Sequence, residues 1–148
     1  MFTMDFRAAK QAFFTSPAVT GAVDRATRKV LSKFGAYVRR GARSSIRKRK
    51  RASEPGKPPS SHSGLLKRFI FFGYDRAAQS VVVGPVALRS KPEAPELLEY
   101  GGQVQRRVGR RGRKKKLKTM RYRPRPFMTP AFETEKPKLP AMWKDSVA

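Results

Sequence analysis

The sequence has no cysteine and only one histidine among its 148 residues. Without cysteine, disulfide bonds and cysteine-ligated metal sites are excluded. The single histidine, His62, stands in a Ser/Pro-rich stretch with no aspartate or second histidine beside it. This setting favours a solvated loop residue over a metal ligand or a general base.

Long apolar runs are also missing. No segment approaches the roughly 18 apolar residues that a bilayer-spanning helix needs, so we expect no membrane partner. The stretch Met1 to Phe14 is amphipathic and carries Asp5, without a continuous apolar core or a small-residue cleavage site. It does not indicate a secretory signal, and we expect the protein to be made in the cytoplasm.

Acidic residues are scarce, because 10 Asp/Glu face 35 Lys/Arg and leave a net charge of +25. Self-repulsion of this size weakens the compact state unless a polyanion or a partner neutralises it. Nucleic acid is the first candidate partner, and a purely solvated basic surface is the alternative. A chain of this length holds one domain with a modest core, so residues 1–148 are predicted to form a single unit.

Apolar residues recur at helical spacing near the N-terminus. Phe2, Phe6, Ala9 and Phe13 predict a short helical arm over residues 1–16. Ser16 and Pro17 are typical of an N-cap and a first helical turn. A second apolar series predicts a long helix over about Pro17 to Ser45, through Val19, Val23, Ala26, Val30, Phe34 and Val38. The helix contains three glycines, Gly21, Gly35 and Gly41, and each weakens it by up to about 1 kcal/mol. We therefore expect the helix to pack against the rest of the protein.

The middle of the chain predicts a loop and a hairpin. Residues 47–64 are basic and then Pro/Ser-rich, and Ser53 to Gly64 is expected to be an exposed loop. Leu65 to Tyr74 and Ser80 to Val86 are rich in aromatic and β-branched residues, with turn-like residues between them. This pattern is typical of a β-hairpin.

The second half predicts a short helix, another hairpin and a helical end. Pro92 to Tyr100 is a helix candidate that Gly101 and Gly102 would end. Val104 to Tyr122 predicts a basic hairpin with its tip at Gly109 to Lys116, and Phe127 to Phe132 begins a strand-to-helix corner. The C-terminal tail, residues 134–148, is expected to be a short final helix or loosely ordered. The predicted fold is α+β, with a long N-terminal helix packed on a small antiparallel sheet of β-hairpins, a short helix and extended basic loops.

Motifs of phosphate-cofactor enzymes are absent. There is no Gly-x-x-x-x-Gly-Lys-Ser/Thr run, and the Gly109-Arg-Arg-Gly-Arg turn is not followed by a helix-forming stretch. Glu93, Glu96 and Glu99 recur every three residues, and such acids can hold a metal or transfer protons. Exposed acids that pair with a neighbour's cations are commoner, and we favour that role. The sequence therefore predicts no catalytic, metal or cofactor site, and a protein that is not an enzyme.

Two dense basic clusters stand out. The first is Arg47 to Arg51. The second, Arg106 to Arg125, holds 12 Lys/Arg and no acid. Neither cluster shows a zinc-finger spacing, a helix-turn-helix or an RNP-type aromatic strand, so we expect contact with backbone phosphate and not base readout. The alternative is that both order only against acidic protein neighbours. The candidate contacts are Arg47, Lys48, Arg49, Lys50, Arg51, Arg106, Arg107, Arg110, Arg111, Arg113, Lys114, Lys115, Lys116 and Lys118.

After the N-terminal helix, four short motifs occur in order. They are Pro55-Gly56-Lys57-Pro58-Pro59 leading to His62-Ser63-Gly64-Leu65-Leu66-Lys67; Val81-Val82-Val83-Gly84-Pro85; Leu98-Glu99-Tyr100-Gly101-Gly102; and Arg125-Pro126-Phe127-Met128-Thr129-Pro130-Ala131-Phe132. Their order resembles the tailed-bacteriophage family of tail-completion and head–tail joining (neck) proteins, which includes the lambda-like minor tail protein Z. The resemblance covers about Ala18 to Phe132. Gly102 stands where the family usually has threonine, and the basic insert Arg106–Lys118 is longer and more charged than expected.

The resemblance implies a small α+β subunit of a ring, commonly of six copies, in the neck or upper tail of a virion. Such a ring joins the DNA-filled head to the tail tube, and DNA passes through its lumen. The family has no catalytic residues to carry over. The expected partners are further copies of the chain and neighbouring neck, connector or tail-tube proteins, with non-specific contact to packaged DNA.

The hypothesis from the sequence is a structural virion protein made in the bacterial host cytoplasm. A compact apolar anchor would hold the base of the second basic cluster, formed by Pro126, Phe127, Met128, Pro130 and Phe132. One candidate seam between copies sets Glu93, Glu96 and Glu99 against a neighbour's cations. The rivals are a tail terminator, a stand-alone non-specific nucleic-acid-binding protein and, third, an enzyme such as a nuclease.

Overall fold

The computed structural model describes residues 17–86, 93–109, 116–144 and 146. Its first element is the 29-residue helix α1 (Pro17–Ser45), with the bounds that the apolar spacing predicts. The predicted stripe is confirmed at four buried positions: Ala26, Val30, Phe34 and Val38. Val23 is exposed, so the prediction is wrong there. The predicted helical arm over residues 1–16 lies outside the described residues.

A short parallel pairing follows α1. Strand β1 (Arg47–Lys48) pairs with β2 (Ser60–Ser61), and the loop between them returns the chain to the end of the helix. Most of the predicted loop is exposed, and His62 is among its exposed residues. Pro59 and Ser61 are buried, because the pairing with β1 draws this end of the loop against the body.

The first predicted hairpin is confirmed, but its first strand starts later than expected. Leu65 to Arg68 forms a one-turn helix, α2 (Leu65–Arg68), and only then does β3 (Ile70–Asp75) begin. Leu66 and Ile70 are both buried, whereas Arg68, which would share their face in a continuous strand, is exposed, so a helical turn suits this segment better than a strand. Strand β3 pairs antiparallel with β4 (Ser80–Pro85), with Ile70 opposite Pro85 and Asp75 opposite Ser80.

The remaining elements follow the predicted order. They are α3 (Ala94–Tyr100), β5 (Gly102–Val108), β6 (Lys116–Tyr122), α4 (Met128–Glu135), a 3₁₀ turn (Lys136–Lys138) and α5 (Leu139–Trp143). The antiparallel pairing of β5 with β6 confirms the second hairpin. Its predicted tip lies outside the described residues between 110 and 115.

One hydrophobic core joins α1, the β3–β4 hairpin and α4. Its buried members are Phe34, Val38, Ala42, Ile46, Leu66, Ile70, Phe127 and Ala131. The Arg39 Nε also donates a hydrogen bond of 2.7 Å to the carbonyl oxygen of Ile70, which ties the helix to the start of β3. The α+β class and the long helix on hairpins are therefore confirmed, and in the described ranges the hairpins form separate two-stranded sheets.

Gly35 lets the hairpin approach α1. A Cβ atom at this position would stand 2.6 Å from Val81 Cγ2 and 3.1 Å from Phe72 Cδ2. We expect Gly35→Ala to destabilise the fold by about 1 kcal/mol, because overpacking by about 1–3 kcal/mol exceeds the gain of up to about 1 kcal/mol in helix propensity. Urea unfolding monitored by circular dichroism measures the change.

Gly21→Ala in the same helix is the matched control. Its Cβ atom would meet only the Arg25 Nη1 at 3.5 Å, an ordinary contact. This variant gains helix propensity without a clash, so the fold should gain up to about 1 kcal/mol. Equal effects of the two substitutions would show that the close contact at Gly35 has no energetic weight.

Candidate functional site

The β5–β6 hairpin, named here the basic arm, is exposed on both of its faces. Only Val104, Met120 and Tyr122 are half-buried, and every other described strand residue on it is exposed. The two strands pack mainly against each other. A two-stranded hairpin without such support is marginally stable in water, so this arm is suited to contact with another molecule.

The register of the arm places like charges side by side. Arg106 stands directly opposite Lys118, so their side chains share one face about 5 Å apart at Cβ. Arg107 lies on the other face, opposite Leu117, and Lys116 stands opposite Val108. Like charges in directly opposed positions destabilise a sheet.

No ion pair between described residues reaches this arm. The ion pairs among the described residues are Lys57–Glu54, Lys136–Glu133 and Lys138–Glu135. None of these pairs involves β5 or β6, so no described carboxylate relieves the repulsion there. The predicted contacts that the arm carries are Arg106, Arg107, Lys116 and Lys118, while Arg110, Arg111, Arg113, Lys114 and Lys115 lie outside the described residues.

The base of the arm is held by a buried carboxylate, Glu99, which is 7% exposed. Its Oε2 accepts hydrogen bonds from the backbone N–H groups of Phe127 at 2.9 Å and Met128 at 3.1 Å. Its Oε1 accepts a third from Thr129 at 2.8 Å. The side chain thus caps the N-terminus of α4 from the end of α3, where a negative charge also meets the positive end of the helix dipole.

The hydrogen bonds control the ionisation of Glu99. Burial alone raises the pKa of this carboxyl, but the backbone N–H groups of Phe127, Thr129 and Met128, with the Thr129 side chain, outweigh burial. The pKa of Glu99 therefore lies below its ordinary value of 4.5, and the capping form is the charged one.

Backbone contacts complete this arrangement, which we name the Glu99 junction. The Arg125 N–H donates to the Leu98 carbonyl at 2.6 Å, and the Gly56 N–H donates to the Pro124 carbonyl at 2.9 Å. The Arg125 Nε donates to the Ser53 carbonyl at 2.9 Å. Gly101 adopts φ 75°, and a Cβ atom there would stand 2.9 Å from the Tyr122 oxygen, so glycine is needed where α3 turns into β5. The junction joins the loop, α3, the arm and α4.

The structure separates the three acids that the sequence groups together. Glu93 and Glu96 are exposed, as the predicted seam requires. Glu99 is buried and fully engaged within its own chain, so its assignment to a contact between copies is wrong. The physical reason is the helix period: each step of three residues falls about 60° short of a full turn, so Glu99 lies about 120° around the helix from Glu93 and here faces α4.

The predicted apolar anchor is confirmed in part. Phe127 is 1% exposed and lies in the core, with Met128 packed against that core. Phe132 is 41% exposed and only its ring edge meets the Phe34 ring, with centroids 5.8 Å apart, so its predicted burial is wrong. Pro126 is half-buried and Pro130 is exposed, because α4 turns that side outward. Ala131, which was not singled out, takes the buried place in the helix.

The first basic cluster, Arg47 to Arg51, is exposed throughout. Arg47 and Lys48 belong to β1, which fixes the start of the cluster beside Ser60 and Ser61. Among the described residues, no hydrogen bond joins this cluster to Arg106, Arg107, Lys116 or Lys118.

An apolar surface lies on the outer face of the β3–β4 hairpin. Phe72 and Val81 approach Gly35 on the inner face, so the alternating residues Phe71 and Val82 point outward. Phe71 is 47% exposed and Val82 is 65% exposed.

The described ranges contain no cluster of three or more acids, histidines or cysteines that could hold a metal ion. Within the same ranges, no helix combines the length and hydropathy that a membrane crossing requires. The capping role of Glu99 is the feature that sequence reasoning missed. The available signal was the start of α4, which has phenylalanine at its N-cap and so needs an acceptor from elsewhere.

Comparisons of the chain with protein-family models, with curated proteins and with solved structures find no match.

Proposed function

We propose that the protein is a structural virion protein, a subunit of a ring that joins the DNA-filled head of a tailed bacteriophage to its tail. In this proposal the ring stands in the neck or upper tail and commonly contains six copies. It is a head–tail joining or tail-completion protein, with tail terminator as the nearest variant. The basic arm faces the DNA channel or an acidic neighbouring ring.

The observation that carries the proposal is the uncompensated basic arm. Arg106 and Lys118 face each other on a hairpin that packs mainly against itself, and no described carboxylate pairs with either. A polyanion or an acidic neighbour that lies against this arm would neutralise the repulsion and stabilise the arm. A subunit that functions only inside a larger particle meets this requirement.

The Glu99 junction supports the family resemblance on physical grounds. Two of the four motifs, Leu98–Gly102 and Arg125–Phe132, are separated in sequence but meet there. The glutamate of one motif caps the helix that the other begins. Their joint occurrence therefore has one structural cause, which makes the ordered motifs more informative than short matches taken singly.

Closure of a ring needs two different patches on each copy, because head-to-tail contacts join unlike surfaces. The exposed Glu93 and Glu96 supply an acidic patch on a strongly basic chain. A cavity of about 370 Å³ opens beside Glu96, Pro95 and Tyr100. A cation of the next copy fits this acidic edge by charge complementarity.

We expect the double variant Glu93→Lys/Glu96→Lys to reduce the fraction of protein in rings at least about tenfold, because like charges across an interface oppose association. Sedimentation velocity and negative-stain microscopy of nuclease-treated protein measure that fraction. Glu99 is left unchanged, since its loss would disturb folding.

The control for this seam is Asp24→Lys/Glu133→Lys, which changes the net charge equally at two other exposed acids. It should leave the rings intact. Rings that persist in the first variant, or vanish equally in both, would remove Glu93 and Glu96 from the seam.

A stand-alone nucleic-acid-binding protein is the second candidate, and the basic arm also favours it, because a two-stranded ribbon fits the major groove of duplex DNA. The two functions differ in the purified state. A ring subunit assembles without nucleic acid, whereas the stand-alone protein stays monomeric or dimeric and binds duplex with a steep salt dependence. A monomer that is also absent from purified phage particles, imaged at a resolution that traces each chain, would overturn the virion proposal.

A further inference from the structure

A cavity of about 890 Å³ opens at the C-terminal end of α1, and we name it the basin. Three arginines of the first basic cluster line it, namely Arg47, Arg49 and Arg51. The two lysines between them, Lys48 and Lys50, do not. The arginines and the lysines of the cluster therefore differ in their surroundings, although all five are exposed. The cluster is not a uniformly solvated charge run.

The basin is strongly positive. Lys57 adds a fourth cation to its lining, and Glu54 is the one carboxylate, with its Oε2 placed 2.6 Å from the Lys57 Nζ. The end of α1 contributes about half a negative charge. The Ser44 and Ser45 hydroxyls donate to the Gly41 and Ala42 carbonyls at 2.9 Å each, and the Ala42 carbonyl is one of the four at that end without a helical N–H partner. The four positive charges exceed the negative charge of Glu54 and of the helix end together, so the basin can attract an anion.

The composition of the lining favours phosphate. Guanidinium groups present paired donors that match phosphate oxygens, and they hold their charge at every relevant pH. The remaining lining is serine with Ala52 and Pro58, so the basin has no aromatic ring on which a base could stack. It also has no large apolar side chain to anchor a protein partner.

We propose that the basin binds the sugar–phosphate backbone of nucleic acid without reading its sequence, through Arg47, Arg49, Arg51 and Lys57. This inference deepens the proposed function, on which it rests for the source of the nucleic acid, since a neck ring encloses packaged DNA. It assigns different roles to neighbouring cations of one cluster. The arginines contact phosphate, and the lysines between them contribute only to the general field.

The test compares two double variants of the full chain that lose equal charge. Arg49→Gln/Arg51→Gln removes two cations that line the basin, and Lys48→Gln/Lys50→Gln removes two that do not. Binding to fluorescein-labelled duplex DNA of random sequence is measured by anisotropy over a series of salt concentrations. All four residues are exposed, so both variants should keep the circular dichroism spectrum and the melting temperature of the wild-type protein.

We expect the arginine variant to raise Kd at least about tenfold and to lower the salt slope by about 1.8, the value for two lost phosphate contacts. The lysine variant should change Kd by less than about threefold, with a slope change well below that of one contact. Duplexes of unrelated sequence should give the same result. Equal losses in both variants, or no loss in either, would overturn the proposal.

Poly-glutamate as a competitor tests the other polyanion class. One outcome is that poly-glutamate displaces DNA from the wild-type protein as efficiently per charge as unlabelled DNA does, and fails to bind the arginine variant. In that case the basin is a site for an acidic protein and the phosphate assignment is wrong. The outcome is separate from ring formation. The anisotropy comparison does not depend on whether the chains have assembled, so the basin can bind DNA where the ring proposal fails, and the ring can form where the basin does not bind.

Discussion

Replacement of Phe127 by alanine is expected to lower the free energy of unfolding by about 3–5 kcal/mol, the usual cost of removing a buried phenyl ring. Phe127 is 1% exposed and belongs to the core cluster that joins α1 to α4. Small domains are stable by only about 5–15 kcal/mol, so the variant will lose much of its stability. Urea unfolding at pH 7, followed by circular dichroism, measures the loss. If the alanine variant is already unfolded without urea, Phe127→Leu gives a smaller, measurable loss at the same site.

Phe132→Ala is the matched control, because it removes the same side chain from the same motif. Phe132 is 41% exposed and meets Phe34 only edge-on. Its loss should cost about 1 kcal/mol, the sum of partial burial and one aromatic contact. Similar losses in the two variants would mean that both rings anchor α4 equally, contrary to the burial seen here.

The second large effect is expected at Glu99. Glu99→Gln should lower the free energy of unfolding at pH 7 by about 2–4 kcal/mol, since hydrogen bonds to a charged acceptor are the strong ones and an unmade bond leaves buried N–H groups unsatisfied. The amide keeps the size of the side chain but removes the charge that faces the helix N-terminus. Glu96→Gln on the same helix is exposed and should change the stability by less than about 0.5 kcal/mol. A comparable loss at Glu96 would contradict the capping role.

The pH dependence gives an independent test of the same group. The folded pKa of Glu99 lies below its ordinary value of 4.5, so the unfolded chain binds the proton more readily. The stability that Glu99 contributes is therefore complete above the unfolded pKa and is lost as the pH falls from there through the lower, folded pKa. Between pH 7 and pH 3, Glu99→Gln should show a shallower fall in stability than the wild-type protein. Parallel curves would mean that the carboxylate is not the capping form.

Elements that follow from local sequence pattern were predictable. The bounds of α1 follow from apolar residues at steps of three and four and from Pro17 at its first turn. The two hairpins follow from β-forming runs around turn residues. The turn α2 was not predicted, because the aromatic run after Leu65 favours a strand locally. Packing overrides that preference by placing both Leu66 and Ile70 in the core.

The features of the site depend on contacts that are distant in sequence, and there the pattern was insufficient. Glu99 and Phe127 are 28 residues apart, and nothing local to Glu93, Glu96 and Glu99 distinguishes the buried acid from the two exposed ones. The same holds for Phe132, whose exposure depends on how α4 lies on α1. In the first basic cluster, the arginines line the basin and the lysines do not, and composition cannot reveal that difference.

The free edges of the basic arm have one more consequence. Among the described strands, β5 and β6 pair only with each other, so each offers an outer edge of unpaired backbone groups. Such an edge can pair with a strand of another molecule, and charged side chains on the edge, here lysine and arginine, disfavour that pairing. The cations that attract a polyanion thus also oppose edge-to-edge aggregation, because they repel the arm of a second molecule. High ionic strength screens the repulsion between these cations, and concentrated solutions of the protein should then form β-rich precipitates.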